Sequence, residues 1–187
     1  TASLGVTTFY STFTRTGGSF AANNGTAVFM ANWAHFITTG AAAFYNVTFN
    51  RTGSSGLQYI DLRDSMVITN DLVLKSENSA YKDDTYQVRV TDIANTITVG
   101  GDLSFESTGD LGNAILGSAT AANNPAVSLS GSYTMSDAEA YTYANITFTG
   151  TAAQTITHTA GTIYGTWIIN KASGTVTQGS NLTFTNF

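Results

Sequence analysis

The side chains that could perform catalysis are few in this 187-residue chain, and two of them are histidines, His35 and His158. No carboxylate recurs beside either imidazole, so the pattern does not indicate a histidine-rich metal site. A Ser–His–Asp triad would need one of these histidines, but the sequence has no Gly-x-Ser-x-Gly turn. The absence of Cys excludes disulfides, thiolate metal sites and Cys nucleophiles. We therefore predict structural or exposed histidines, no catalytic residue and no cofactor.

Two aspartates, Asp71 and Asp102, occupy the same place in the similar stretches MVITNDLVL and ITVGGDLSF. A third stretch, VTQGSNLTF, has Asn181 at that place. Calcium takes about six to eight oxygen ligands, which two carboxylates and one amide do not supply. Asp and Asn are also typical of turns, where their side chains accept hydrogen bonds from nearby backbone N–H groups. We predict turn residues and keep Asp71 and Asp102 only as weak calcium candidates.

The stretch YKDDTYQVRVTD, residues 81–92, concentrates charge in a chain with few charged residues. Two carboxylates at a suitable separation could cleave a glycosidic bond. Asp83 and Asp84 are adjacent, however, so in a strand they would point to opposite faces. We predict a charged loop or hairpin here. A site formed with Arg89 that binds or cleaves carbohydrate is the alternative.

Aromatic residues make up 12% of the chain and cluster near the centres of sequence repeats. Exposed rows of aromatic rings bind sugars, whereas buried rings stack along a core. We predict core stacking for this group and single out Trp33, which lies in the polar stretch NWAHF. The residues concerned are Trp33, Phe44, Tyr45, Tyr141, Tyr143 and Trp167.

The composition excludes several classes of partner. Charged residues are only 10% of the chain, against roughly 25% in typical soluble domains, while hydrophobic residues reach 42%. The net charge is -5 with seven basic residues, too few for the basic patch that nucleic acid requires. No apolar run approaches the roughly 18 residues of a membrane span, and TASLGVTTFY is not a signal peptide. We predict a folded protein without nucleic-acid partners or a membrane span.

Thr alternates with Phe, Ile or Val in NVTFN, YANITFTG and NLTFTNF. This alternation predicts strands with one buried face. Gly, Asn and Ser separate the strands, as in RTGGS and NRTGSSG. Residues 136–144, SDAEAYTYA, are the best candidate for a helix. The pattern as a whole predicts an all-β fold.

Internal repeats favour one all-β architecture. Residues 28–53 resemble residues 147–174, and a partial copy of the same unit begins at Phe9. The alignment pairs Phe29 with Phe148, Ile37 with Ile156 and, after one insertion, Phe49 with Ile169. A sandwich has no reason to repeat its sequence, whereas a solenoid stacks similar coils. We predict one parallel β-solenoid over residues 1–187, with less regular inserts near 76–94 and 107–135, and an antiparallel pilin-like sandwich as the alternative.

The stretches FYNVTFNRTG, NDLVL and IYGTWIINKASGTVTQGSNLTF resemble the degenerate repeats of large secreted bacterial and archaeal surface proteins. Those proteins are similar to adhesins and carry right-handed parallel β-helices. The resemblance covers residues 26–75 and 140–187 and is weaker over 95–106. It implies an extracellular or cell-surface location and a structural or adhesive role, without catalytic residues.

The two terminal stretches, TTFYSTFTRTGG and GSNLTFTNF, are β-prone and carry no cap signature. Uncapped strand edges recruit further strands, so we expect head-to-tail self-assembly by β-augmentation into a homopolymeric filament. A rod segment of a surface adhesin, or a β-helix that binds or cleaves surface glycans, is the alternative. The predicted assembly residues are Phe9, Tyr10, Phe13, Leu182, Phe184 and Phe187.

Five Asn-x-Ser/Thr sequons occur, a number close to that expected by chance from the composition. An exported protein could carry glycans at some of them. The candidate acceptors are Asn24, Asn46, Asn50, Asn145 and Asn181.

Overall fold

The computed structural model describes residues 5–18, 20, 23–31, 33–51, 56–77, 85–106 and 112–183. Within these residues the chain winds through successive coils, each contributing up to three short strands. The strands are, coil by coil, β1 Val6–Phe9 and β2 Phe13–Thr14; β3 Thr26–Met30, β4 His35–Thr38 and β5 Ala43–Phe44; β6 Asn46–Asn50, β7 Leu57–Leu62 and β8 Met66–Ile68; β9 Leu72–Lys75, β10 Thr85–Val90 and β11 Thr96–Val99; β12 Leu103–Glu106, β13 Asn113–Leu116 and β14 Ala126–Leu129; β15 Tyr133–Met135, β16 Tyr141–Thr142 and β17 Asn145–Phe148; β18 Gln154–His158, β19 Thr162–Ile163 and β20 Trp167–Ile169; and β21 Val176–Gln178.

Equivalent strands of successive coils pair to form three sheets. The first strands form an eight-stranded sheet A, the second strands a seven-stranded sheet B, and the third strands a six-stranded sheet C. Every strand pair among the described residues is parallel. The prediction of a parallel β-solenoid is confirmed, and the antiparallel sandwich is wrong.

The core consists of columns in which like residues of successive coils meet. Leu72 pairs with Leu103, and Leu74 with Phe105, and all four are fully buried. Side chains alternate across a strand, so residues two places apart enter the same core. Each such side chain contributes about 1.5–3 kcal/mol by its burial. In the two stretches around Asp71 and Asp102, the shared apolar residues therefore form the core and the aspartates lie at the corner before the strand.

The longer repeat that the sequence suggests is displaced by one face in the structure. Phe29 lies in sheet A, but its aligned partner Phe148 lies in sheet C. Ile37 lies in sheet B, but its partner Ile156 lies in sheet A. Strands on all three faces share the same Thr–apolar alternation and the same turn residues, so a strand–turn–strand unit on one face resembles a unit on another.

The regions predicted to be less regular inserts contribute core strands. β10 lies within 76–94, and its alternate residues Tyr86, Val88 and Val90 are buried. β13 and β14 lie within 107–135, separated by a loop that carries a short 3-10 helix, Ala121–Asn123. Both regions therefore contribute strands to the regular sheets.

Residues 136–144, the best helical candidate, form a corner followed by β16. Ala140, Thr142 and Ala144 are fully buried. A spacing of two residues is the period of a strand, whereas a helix buries every third or fourth residue. The helical interpretation is therefore wrong.

Candidate functional site

The corner between sheets C and A, which we call corner CA, carries a ladder of side-chain caps. Asp71 Oδ1 accepts the backbone N–H of Asp102 at 2.8 Å, and Asp102 Oδ1 accepts that of Ser132 at 2.7 Å. Asn46 Oδ1 accepts the N–H of Asp71 at 3.2 Å, and Ser132 Oγ accepts that of Thr155 at 3.0 Å. Each coil thus caps a backbone donor of the next coil.

This ladder bears on the weak calcium candidates Asp71 and Asp102. One oxygen of each carboxylate points at a backbone N–H group of the following coil. The second oxygen of Asp71 accepts the side-chain amide of Asn70 at 3.1 Å. Among the described residues, no three His, Asp or Glu side chains come together as a metal site. The arrangement fits turn residues that hold coils together.

Arginines on the outer face of sheet B bridge neighbouring coils. Arg89 forms a bidentate ion pair with Asp61, with distances of 2.8 Å from Nε to Oδ1 and 3.0 Å from Nη2 to Oδ2. Its guanidinium also lies 3.8 Å from the ring centre of Tyr59. Arg63 covers the ring of Phe36 at the same distance. In these contacts both guanidinium groups lie against an aromatic ring of the same sheet, and that of Arg89 also pairs with a carboxylate.

Other basic side chains bind groups of the scaffold. The ammonium of Lys171 donates to the carbonyl of Ala152 at 2.9 Å and also to Gly150 and Gln154. Arg15 donates to the carbonyls of Gly18 and Gly40, and Lys75 pairs with Glu77 at 2.6 Å. Lys171 and Arg15 therefore bind carbonyl groups at corners of the solenoid, and Lys75 forms an ion pair.

The structure describes residues 85–92 of the charged stretch 81–92. Asp83 and Asp84 lie outside the described residues, so their predicted arrangement with Arg89 stays a prediction. Arg89 pairs with Asp61 and lies over the ring of Tyr59. Asp92 accepts the N–H of Ala94 at 2.9 Å and so closes a turn. The described members of the stretch act in the scaffold.

The two histidines lie at opposite ends of the core. His35 leads the column of sheet B that continues with Ile60 and Val88, and burial lowers the pKa of His35. His158 follows Met135 in a column of sheet A. The hydroxyl of Ser180 bonds both the N–H and the C=O of His158, at 2.6 and 2.8 Å. The structure therefore does not bring the two imidazoles together.

The N-terminal end of the core is covered by phenylalanines. Phe9 stacks on Phe29 with ring centres 5.0 Å apart, and Phe13 meets Phe9 edge-on at 5.1 Å. Phe20 lies 5.1 Å from Phe44, the first inward residue of sheet C. Two predicted assembly residues, Phe9 and Phe13, therefore belong to this aromatic cover, with one edge still toward solvent.

Among the described residues, no strand of sheet C follows β20 at the C-terminal end of the core. Ile169 ends an inward column and is 65% exposed, although every earlier member of that column is at most 1% exposed. Its neighbour Ile168 is also exposed. Leu182 packs partly against the core, whereas Phe184 and Phe187 lie outside the described residues. The earlier members of the column are Phe44, Ile68, Val99, Leu129 and Phe148.

The sequence did not reveal Ile168 and Ile169 as candidates. The signal that could have found them is the apolar run WII in the last copy of the repeat. In that run, Trp167 packs edge-on to Tyr133 and Phe148, with ring centres at 4.8 and 5.6 Å. Ile168 is exposed because it points to the outer face of sheet C, as does Val67 in an earlier coil. Ile169 points inward and is exposed because no later strand of sheet C follows among the described residues.

The other aromatic candidates divide between core and surface. Phe44 is buried, and Tyr143 stacks on Tyr164 outside sheet B, with ring centres 4.6 Å apart. Tyr141 joins that stack at 6.3 Å. Trp33 is 73% exposed. Core stacking thus holds for Phe44 and Trp167, but not for the tyrosines or Trp33.

The sequons differ in accessibility. Asn50 is 3% exposed, and its Nδ2, the atom that would carry a glycan, donates to Glu77 at 2.7 Å. This burial removes Asn50 as an acceptor in the folded chain. Asn46 is half-buried in the ladder of corner CA. Glycosylation of the exposed sites stays a prediction, and these sites are Asn24, Asn145 and Asn181.

Comparison of the chain with family models, curated proteins and solved structures finds no match. The described residues contain no helix long and apolar enough to cross a membrane. The physical arrangement of the solenoid and its two end faces therefore carries the functional argument.

Proposed function

We propose that this chain is an extracellular structural protein whose solenoids assemble head to tail into a filament. The observation that carries the proposal is the column of sheet C that ends at Ile169. A core column that is buried over five coils and 65% exposed in the next requires a further apolar layer for its burial. The N-terminal face of a second copy, with its partly exposed phenylalanines, offers such a layer.

The edges of sheet A offer a further contact between copies. β21 forms the C-terminal edge of sheet A and β1 the N-terminal edge. Edge strands present unpaired N–H and C=O groups that pair with another strand. Because all strands of the sheet are parallel, β1 of a second copy extends it in the same direction. Such a contact joins unlike surfaces and leads to an open filament.

The energies involved indicate an assembly that depends on concentration. Burying Ile169 contributes about 1.5–3 kcal/mol, and each new backbone hydrogen bond about 0.5–1.5 kcal/mol. Association costs about 4–15 kcal/mol in lost translational and rotational freedom. Because the gains and the cost are of similar size, we expect filaments only above a threshold concentration of subunit.

The extracellular location rests on the resemblance of the repeats to those of secreted surface proteins. A rod within a larger surface adhesin is built from the same coils and is the alternative role. There the layer over Ile169 comes from the same polypeptide, and isolated chains have no need to associate. Self-association of the isolated chain therefore distinguishes the two roles.

The test is sedimentation velocity of the full chain over a concentration series, with Ile169→Asp as the test variant. Ile93→Asp is the matched control, because Ile93 is 64% exposed on the side of the solenoid, between β10 and β11. We expect the wild type and I93D to form larger species as concentration rises and I169D to remain monomeric. Monomers of the wild type at every concentration, or assembly of I169D equal to that of the wild type, would overturn the proposal.

A further inference from the structure

Two aromatic side chains are far more exposed than any others among the described residues, Trp33 at 73% and Tyr10 at 64%. Both lie at the corner between sheets A and B, in successive coils. Tyr10 directly follows β1, and Trp33 lies between β3 and β4. Successive coils are about 4.8 Å apart, so the topology places two large rings on one corner.

Among the described residues, no ring or cation contacts these two rings, whereas several other surface aromatics have such a neighbour. Arg63 covers Phe36, Arg89 covers Tyr59, and Tyr143 stacks with Tyr164. Neither a ring nor a cation from the described part of the chain lies on Trp33 or Tyr10. Free aromatic faces in water are characteristic of a binding surface.

The chemistry of the corner favours an uncharged ligand that has both apolar faces and hydroxyl groups. The chain has a net charge of -5, so it repels polyanions. Lys75, Arg89 and Lys171 are already bound to groups of the scaffold. The hydroxyl of Thr12, which accepts the N–H of Phe36 at 3.4 Å, lies at the same corner.

We infer that Trp33 and Tyr10 form a binding site for a neutral saccharide. The C–H faces of two sugar rings pack against the indole and phenol rings, and the corner hydroxyls hydrogen-bond the sugar hydroxyls. Among the described residues, Arg63 is the basic side chain next to this corner, and it already lies on the ring of Phe36. Tyr10 directly follows β1, so this corner lies beside the N-terminal face on which a second copy would stack. The inference is therefore tested in the I169D background, in which the head-to-tail contact is removed.

The test uses the fluorescence of Trp33. The chain has two tryptophans, and Trp167→Phe retains a ring against Tyr133 and Phe148 while leaving Trp33 as the only indole. Cellohexaose, chitohexaose and mannohexaose are titrated into W167F in the I169D background, with polygalacturonate as the acidic comparison. We expect at least one neutral oligosaccharide to shift the emission, and polygalacturonate to leave it unchanged.

Variants test whether the two rings carry the binding. The variants are made in a chain that carries I169D and is otherwise wild type, and their affinity is measured on an array of immobilised glycans. We expect Trp33→Ala and Tyr10→Ala each to lower the affinity for the neutral sugar at least tenfold. Ile93→Ala, at an equally exposed apolar position elsewhere, leaves the affinity unchanged. The array also serves if W167F fails to fold.

Three outcomes overturn the inference. In the first, the I169D chain with both rings intact binds no neutral glycan on the array. In the second, a Trp33→Ala, Tyr10→Ala double variant binds the neutral glycan as tightly as that chain does. The third is a Trp33 emission that changes with protein concentration alone in the I169D background, which assigns the rings to another contact between copies. Sedimentation of the same I169D samples confirms that the head-to-tail contact is absent, so failure of the sugar site is distinguished from failure of the filament.

Discussion

The carboxylate of Asp71 accepts the backbone N–H of Asp102, which lies one coil further along the solenoid and 2.8 Å away. Asp102 repeats the contact with Ser132. The side chain of a turn residue in one coil therefore accepts a backbone N–H group in the turn of the next coil. These hydrogen bonds at corner CA link the coils in addition to the contacts of the apolar core.

Replacing Asp102 with Ala removes the acceptor for the N–H of Ser132. We expect Asp102→Ala to lower the free energy of unfolding by about 1 kcal/mol, the usual cost of a lost side-chain cap. Urea denaturation followed by circular dichroism measures this difference. Asp102→Asn retains Oδ1 as an acceptor and serves as the control, with an unfolding midpoint close to that of the wild type. Equal destabilisation by both variants would show that the charge of Asp102, not its cap, matters.

Gly131 lies at corner CA beneath the same contact. A Cβ on Gly131 would overlap the carbonyl oxygen of Gly101 and Oδ1 of Asp102. We expect Gly131→Ala to cost about 1–3 kcal/mol, because the overlapped atoms belong to the backbone and the ladder. At Gly17, nothing lies within 4 Å of an added Cβ, so Gly17→Ala changes stability by less than about 0.5 kcal/mol. Thermal melts of the two variants compare these costs, and equal melting temperatures would contradict the close packing of the corner.

The raised pKa of Asp137 leads us to expect that the free energy of unfolding depends on pH. Burial, with a further contribution from nearby Glu139, raises the pKa of Asp137 from 3.8 to about 6. The folded chain thus binds this proton more tightly than the unfolded chain does. The associated stability is complete below about pH 4 and is lost as pH rises through about 6.

The measurement is the free energy of unfolding between pH 4 and 7.5 for the wild type and Asp137→Asn. We expect the wild type to lose about 2–3 kcal/mol relative to the variant across this range. The lowered pKa of His35 acts in the opposite direction, but it is present in both proteins and cancels in the difference. Parallel pH profiles for the two proteins would rule out a raised pKa at Asp137.

The sequence predicted the architecture because the determinants of a coil are local. Leu72 and Leu103 have the same Asp before them and a large apolar residue two places after, and the structure stacks them directly. The turn role of Asp71 follows from the ordinary chemistry of Asp at the start of a strand. These features depend on residues within one strand and its corner.

What the sequence did not predict depends on which coil a residue belongs to. Ile169 and Phe148 read alike along the chain, yet one is exposed and the other buried, because only Phe148 has a coil on each side. The face to which a strand belongs was also misassigned, as Phe29 and Phe148 illustrate. Connections vary in length, so paired residues are 20 positions apart at Ala27 and Val47 but 31 apart at Leu72 and Leu103.

Electron microscopy of the purified chain at rising concentration tests the central claim most directly. Sheet A has eight strands among the described residues, and parallel strands are about 4.8 Å apart, so continuation of this sheet predicts a subunit rise of about 38 Å. Filaments with this axial repeat are the expected result. Discrete particles at every concentration, or filaments with a clearly different rise, would contradict assembly by continuation of the solenoid.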